Sequence, residues 1–361
     1  MDKRIKIVFI KPNDNTFIKV DERILKKHYD VHPILLNQKK GNFYYSLNMV
    51  KMFLTLLLNL FNRNTVFVCW FADYHAAVMV LAAKLVRKKS LIFIGGQEAV
   101  CYRELGKGVY RKKIRAAFVG YSLRNTDLII ANHKSLIYHE NYYYNPENPH
   151  IDGIKHYVKG LKTPIEIIYN GIDPEKFVRD YSIKKEENCV LTVGTMGQIG
   201  DFYNKGFDLF IQVAQRMPDL KFILIGLNPN FLTWTEENYH FSTIPNLTII
   251  PFCPQDILNE NYNKAKVFVQ ASITEGMPNS LNEAMLLECI PVGSNINGIP
   301  DAIGDTGVII KHRNVNEIEQ GIRSALAMNT AEEARKRVIE LFSLEKREKE
   351  TKVAIDRLIR N

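Results

Sequence analysis

No CxxC pair, no membrane-length apolar run and no low-complexity tract occurs among the 361 residues. The five cysteines (Cys69, Cys101, Cys189, Cys253, Cys289) are odd in number and widely spaced, which argues against both a disulfide framework and a zinc site. A cytoplasmic home is expected. The longest apolar stretch, Met52 to Phe61, is interrupted by Thr55 and Asn59 and reaches about half of the roughly 20 residues that a spanning helix needs. The N-terminal run Ile5 to Ile10 is too short for a secretory apolar region and lacks a small-residue cleavage site; it reads as a first strand. With 46% hydrophobic and 24% charged residues, a mainly disordered or collagen-like chain is excluded. The length suits two ordinary domains.

Acidic residues are scarce in the first half. Residues 1–180 hold 29 Lys and Arg against 16 Asp and Glu, a balance of +13, while residues 181–361 hold 19 against 23, a balance of −4. A basic N-terminal half points to anionic lipid head groups, nucleic acid or an anionic acceptor, and a merely solvated surface explains it equally well. No interleaving of basic and stacking aromatic residues marks a known nucleic-acid module, so no nucleic-acid partner is expected.

Short β-branched runs alternate with longer amphipathic stretches: Lys6 to Ile10, Val31 to Leu36, Val66 to Trp70, Leu91 to Ile94, Leu128 to Ala131 and Ile165 to Tyr169. A second series follows at Val190 to Val193, Lys221 to Gly226, Leu247 to Pro251, Val267 to Ala271, Ile290 to Gly293 and Val308 to Ile310. Such alternation predicts α/β architecture with two parallel sheets. The Asn170-Gly171 pair with Pro174 marks the junction. Residues 1–170 are expected to form an N-terminal acceptor-binding domain, 171–340 a C-terminal nucleotide-sugar-binding domain, and 341–361 a helical tail.

The sharpest chemical signal begins at the end of the strand Val267 to Ala271 and reads Glu275-Gly276-Met277-Pro278-Asn279-Ser280-Leu281-Asn282-Glu283-Ala284-Met285. Pro278 suits a first helical turn, which leaves Glu275 in the loop above a helix N-terminus and Glu283 inside the helix. Free amides of Asn279, Ser280 and Leu281 would face a diphosphate. Glu283 is then spaced to accept ribose hydroxyls, and Glu275 to hold an attached sugar. Either glutamate alone is better read as a favourable partner of the helix dipole; the two together make the sharper pattern. A second element, Gly194-Thr195-Met196-Gly197-Gln198-Ile199-Gly200 with Asn204-Lys205-Gly206, follows the strand Val190 to Val193. It is neither a Walker loop nor the GxGxxG of dinucleotide enzymes.

Glu275 and Glu283 within EGMPNSLNEAM, followed by Pro291-Val292 and Asn297-Gly298-Ile299-Pro300-Asp301, closely resemble the retaining family-4 (group 1) glycosyltransferases. The resemblance implies the GT-B fold: two Rossmann-like domains facing across a cleft, a nucleotide sugar in the C-terminal one, and a last helix crossing back to the first. It implies transfer of a hexose-type sugar, with retention and without a covalent intermediate, from a UDP- or GDP-linked donor to a glycan or lipid-linked saccharide in cell-surface polysaccharide synthesis. It assigns Lys205 to the donor phosphates and the stretch Gly276 to Leu281, with Gly194 and Thr195, to the donor site. Thr195 stands where relatives carry an arginine, and Lys11 to Thr16 where they often carry a glycine-rich turn. No Asp-x-Asp pair stands where this architecture would use one, so no metal and no further cofactor is expected. A non-catalytic nucleotide-binding scaffold is the alternative.

On the acceptor side, Gly95 and Gly96 replace a histidine common in relatives, and His75 and Glu98 are the substitutes, although His75 fits an ordinary loop or core-edge residue as well. Arg111-Lys112-Lys113-Ile114-Arg115, followed by Ala116 to Val119, reads as a helix with a cationic start and an apolar continuation, suited to the inner face of an anionic membrane. Asn42 to Phe61 is aromatic and apolar too; its first reading is a buried helix and its second a lipid-facing one.

Overall fold

The β-branched runs assemble into two parallel sheets in a computed structural model that describes residues 5–37, 41–62 and 64–360. The first half runs β1 (Lys6–Lys11), α1 (Thr16–His28), β2 (Asp30–Leu35), α2 (Asn42–Leu57), β3 (Thr65–Trp70), α3 (Tyr74–Leu85), β4 (Lys89–Ile94), α4 (Lys113–Asn125) and β5 (Leu128–Ala131). An antiparallel hairpin of β6 (His139–Asn141) and β7 (His150–Asp152), a short α5 (Ile154–Tyr157) and β8 (Ile165–Ile167) complete it.

The second half opens with β9 (Glu186–Val193), α6 (Ile199–Lys205), α7 (Phe207–Arg216), β10 (Lys221–Leu227), α8 (Leu232–Tyr239), β11 (Leu247–Pro251) and α9 (Gln255–Lys264). It continues with β12 (Ala265–Gln270), α10 (Asn279–Leu286), β13 (Ile290–Ser294), α11 (Ile299–Ile303), β14 (Val308–Ile310) and α12 (Val315–Leu326). Two helices, α13 (Ala331–Phe342) and α14 (Leu344–Arg360), end the described chain.

Strand order is β2-β1-β3-β4-β5-β8 in the first sheet and β11-β10-β9-β12-β13-β14 in the second. Every rung in both is parallel. Central strands such as β3, with all six residues buried, read as continuous apolar runs because helices cover both faces. Strand order reverses between β1 and β3 in one sheet and between β9 and β12 in the other, and crevices open at the carboxyl ends of strands at such points. The two crevices face each other.

One element lies outside the sequence reading and another departs from it. The tyrosine-rich loop at 142–149 is the tip of the β6–β7 hairpin, and Tyr143 is buried in the core of the second domain. Helix α2 is buried on one side only. Tyr45, Met52 and Leu56 pack into the first core, whereas Phe43, Leu47, Val50 and Leu54 are exposed.

The chain crosses back at Ser343. Backbone bonds from Ile172 N–H to the Phe342 carbonyl (2.9 Å) and from Leu344 N–H to the Ile172 carbonyl (3.0 Å) pin the crossing. Helix α14 then buries Ala354, Ile355 and Leu358 against the first sheet, among Ile7, Phe9 and Val68. Arg347 holds Asp21 through two bonds of 2.6 and 2.7 Å, and Trp70 donates to the same carboxylate at 2.8 Å. All three side chains are essentially buried.

Candidate active site

Between the facing sheet edges lies a cavity of about 530 Å³, within the size range of small-molecule sites. On its second-domain side the lining includes Gly194, Thr195 and Lys205, and then Glu275, Gly276, Met277, Pro278, Asn279, Ser280 and Glu283. The loop after β9 is shaped by Gly226 (φ +102°): a Cβ there would lie 1.9 Å from the Gly194 carbonyl oxygen, so only glycine lets the two strand ends approach. Asn228 donates to the Met196 carbonyl at 3.2 Å and braces the same loop.

Lys205, the last residue of α6, is ion-paired through Nζ with Glu275 Oε1. Ser272 Oγ donates to that carboxylate at 3.1 Å, and Asn297 Oδ1 accepts from the Glu275 N–H at 2.9 Å. Pro278 caps α10 from outside the helix instead of occupying its first turn. The next three amides have no helical acceptor behind them, which is the electropositive end of the helix. Leu281, expected in the donor site, is not part of the lining, and its side chain is fully buried in the second core.

Glu283 lies one turn into α10, with its carboxyl enclosed. Burial pushes its pKa up to about 7, and the Tyr262 hydroxyl, donating to Oε2 at 3.2 Å, offsets only part of that rise.

The first domain contributes Thr16 and Phe17 from the start of α1, Trp70 and Phe71 after β3, Gly95 after β4 and Asn132 after β5. Gly276 lets the domains approach at the cavity: a Cβ on it would lie 2.7 Å from the Gly95 carbonyl oxygen and 2.9 Å from Asn132 Oδ1.

His75 and Glu98 do not line this cavity, which corrects their expected catalytic role. His75 is buried on α3 facing α2. Its Nε2 is 2.8 Å from the Trp70 carbonyl and must donate there, which leaves Nδ1 to accept from the Tyr45 hydroxyl, also at 2.8 Å. Burial lowers its pKa, so the ring is neutral and both nitrogens are occupied. Glu98 accepts from the amides of Ala72 (3.0 Å) and Gly96 (3.3 Å). Burial raises its pKa to about 7; it braces the two loops that carry Phe71 and Gly95.

Of the glycine loop, only Gly194 and Thr195 reach the cavity. Gly197 and Gly200 are not part of the lining. Gly200 instead admits the first domain, since a Cβ there would lie 2.0 Å from the Leu105 carbonyl oxygen. Sequence reasoning missed Phe17, Asn132 and Phe252. Their one local signal is position: Asn132 and Phe252 directly follow the strands β5 and β11.

Residues 173–341 match the family described as glycosyl transferases group 1. Among curated relatives, the capsular polysaccharide biosynthesis glycosyltransferase CapM of Staphylococcus aureus is 29% identical over 191 residues, which are 48% of this chain and 49% of CapM. The chain spans between 33% and 49% of the length of the curated relatives it matches. Similar solved structures include the sucrose-phosphate synthase of Thermosynechococcus elongatus, with TM-score 0.75, 14% identity and coverage of 98% of this chain and 99% of the other. Another is Anabaena HepE in complex with UDP and glucose, with TM-score 0.71, 12% identity and 98% and 99% coverage. Residues 173–341 are therefore similar to the group 1 glycosyltransferases, and the chain has the two-domain GT-B fold of these solved structures throughout.

Proposed function

We propose that the protein is a retaining, metal-independent hexosyltransferase. It would take a UDP- or GDP-linked sugar to a glycan or lipid-linked saccharide acceptor in cell-surface polysaccharide synthesis. The observation that carries this reading is the convergence of Lys205, Glu275, Glu283 and the N-terminus of α10 on one interdomain cavity. HepE, bound to UDP and glucose, and CapM, named for capsule synthesis, support the donor class and the pathway class.

In this mechanism Lys205 and Glu275 act as each other's counter-ion until a donor arrives. The diphosphate then takes Lys205 and the amides of α10, the sugar hydroxyls take Glu275, and the ribose takes Glu283. Phe252, 77% exposed at the cleft edge, offers a ring face to the base. As the glycosidic C–O bond breaks, charge grows on the departing diphosphate, where preorganised donors lower the barrier most. The acceptor hydroxyl attacks from the same face, and its proton passes to the leaving phosphate oxygen. The acceptor enters from the first-domain side of the cleft, past Phe17, Phe71 and Asn132.

Thr195 favours a second reading, a nucleotide-binding scaffold without transfer, because it supplies no charge where relatives carry arginine. One experiment separates the two. Thermal shift with UDP, GDP, ADP and CMP is run on the wild type and Glu283→Ala, followed by donor turnover with a membrane extract as acceptor source. Ligand at 100 times its Kd adds about 2.7 kcal/mol, several degrees in Tm. The transferase reading requires one diphosphate to stabilise the wild type more than the variant, and turnover to follow. Stabilisation without turnover favours the scaffold, and no stabilisation by any nucleotide removes both.

A further inference from the structure

Outside the cleft, the largest unexplained feature is the outer face made by α2, α3 and α4, which pack side by side in that order. On α2 the side chains of Phe43, Leu47, Val50, Leu54 and Leu58 recur at helical spacing and point to solvent, with Phe43 78% and Leu58 83% exposed. Phe61, just past the helix, is 91% exposed. The stripe continues over Leu81 and Leu85 of α3 and over Ile114 and Phe118 of α4, all exposed. Single exposed apolar residues are ordinary, whereas a contiguous face of them marks a binding surface.

The charge on this face has one sign. Segments 41–62, 74–88 and 109–125 contain nine Lys and Arg and no Asp or Glu. Lys51, Lys84, Arg87, Lys112, Lys113 and Arg124 are exposed among or beside the apolar side chains. Lys88, Arg111 and Arg115 are half-buried, and Arg115 is held by Asp73 at the head of α3 through contacts of 2.5 and 3.0 Å. Between α3 and α4 runs an apolar groove of about 390 Å³ lined by Ala77, Val78, Leu81, Ala117, Phe118 and Tyr121.

We propose that this face docks the protein onto an anionic lipid bilayer, with α2 lying in the interface plane and the groove receiving an acyl chain. An apolar stripe bordered by cations is the pattern of an interfacial helix, and each Lys or Arg near an anionic leaflet adds attraction. A second copy of the chain is disfavoured, because pairing two such faces opposes cations to cations. Nucleic acid, which stacks its bases on aromatic rings, offers nothing to cover the aliphatic Leu47, Val50 and Leu54. Among the described residues no helix is long and apolar enough to cross a membrane, so contact is made from one side. The proposal deepens the transferase reading by placing a lipid-linked acceptor on the surface that the protein sits on.

Vesicle co-sedimentation without donor tests it, using vesicles of pure phosphatidylcholine and of an equimolar phosphatidylcholine–phosphatidylglycerol mixture. The full chain is compared with Leu54→Ser/Phe61→Ser and with Lys112→Ala/Lys113→Ala, while UDP-induced thermal shift serves as a control on folding and on the separate donor site. The expected result is sedimentation with the mixed vesicles only, lost at high salt, and at least about tenfold weaker in each variant with any nucleotide shift unchanged. Three results overturn the proposal: wild type that stays in the supernatant, variants that bind as wild type does, or a wild-type dimer in sedimentation equilibrium that these substitutions convert to monomer. Because no step uses a donor, failure here is distinct from failure of the transferase reading.

Discussion

Burial raises the Glu283 carboxyl pKa to about 7, and its proposed ribose-binding role then predicts a pH-dependent affinity for nucleotide. Two ribose hydroxyls need an ionised acceptor, so binding favours the deprotonated form and lowers its pKa. Below about pH 7 the Kd for the preferred nucleoside diphosphate should rise, approaching tenfold per pH unit; above it the Kd should be flat. Isothermal titration from pH 5.5 to 8.5 checks this. Glu283→Gln should weaken binding at pH 8 and flatten the slope; a slope that persists in the variant belongs to the phosphate itself, which titrates near pH 6. Stability runs the other way. A carboxyl whose folded pKa lies above its unfolded value contributes stability that is present below the unfolded pKa and lost as pH rises through about 7. In the proposed mechanism Lys205→Ala removes a charge-assisted bond to the departing phosphate, worth about 1.5–3 kcal/mol, so kcat should fall roughly tenfold to a hundredfold. An unchanged kcat in steady-state assays would take Lys205 out of the mechanism.

At the scale of elements, α14 is tied down by one buried ion pair. Arg347 donates to Asp21 and also to the carbonyls of Ile168 (3.1 Å) and Tyr169 (2.7 Å). Arg347→Ala would leave the Asp21 carboxylate buried with only the Trp70 indole, a loss of about 3–5 kcal/mol in chemical denaturation. Arg347→Met with Asp21→Asn should recover much of it, because the cost lies in the stranded charge; an equal loss in both variants would point to packing instead. The same helix also packs on the domain junction. Gly171 packs against Arg347 and Leu344, and a Cβ there would lie 3.0 Å from each. Gly171→Pro therefore disturbs the strap as well as the turn.

For the whole molecule, the two domains are held closed by contacts made far from the junction. His133 and Lys134 meet Asp301 at 3.0 and 2.9 Å, Lys107 pairs with Asp201, and Asn141 donates to the Ile273 carbonyl at 2.7 Å. The hairpin that carries Tyr143 reaches into the second core. Small-angle scattering of the free protein should therefore match that of the nucleotide-saturated protein. Lys107→Ala combined with His133→Ala should expand the free form and leave the bound form compact. A large contraction of the wild type on adding nucleotide would mean that the free protein is open and that these contacts form only on binding.

The sequence by itself determined the twelve sheet strands and the second-domain half of the cleft. Both are local: a β-branched run buried on two faces needs no distant partner to be recognised, and Glu275, Pro278 and Glu283 belong to one strand–loop–helix unit whose spacing sets their relation. Tertiary structure decided the rest. The first-domain side of the cavity is gathered from four loops, so neither Asn132 nor Phe17 has a motif to announce it. His75 follows a strand as an acceptor contact would, yet Tyr45, thirty residues away, occupies its Nδ1. Gly200 has no local requirement for glycine, and only the approach of Leu105 from the other domain explains it. Helix α2 is apolar on both faces, and periodicity alone cannot say which of them meets the core. That choice depends on where α3 lies, which is a property of the folded chain.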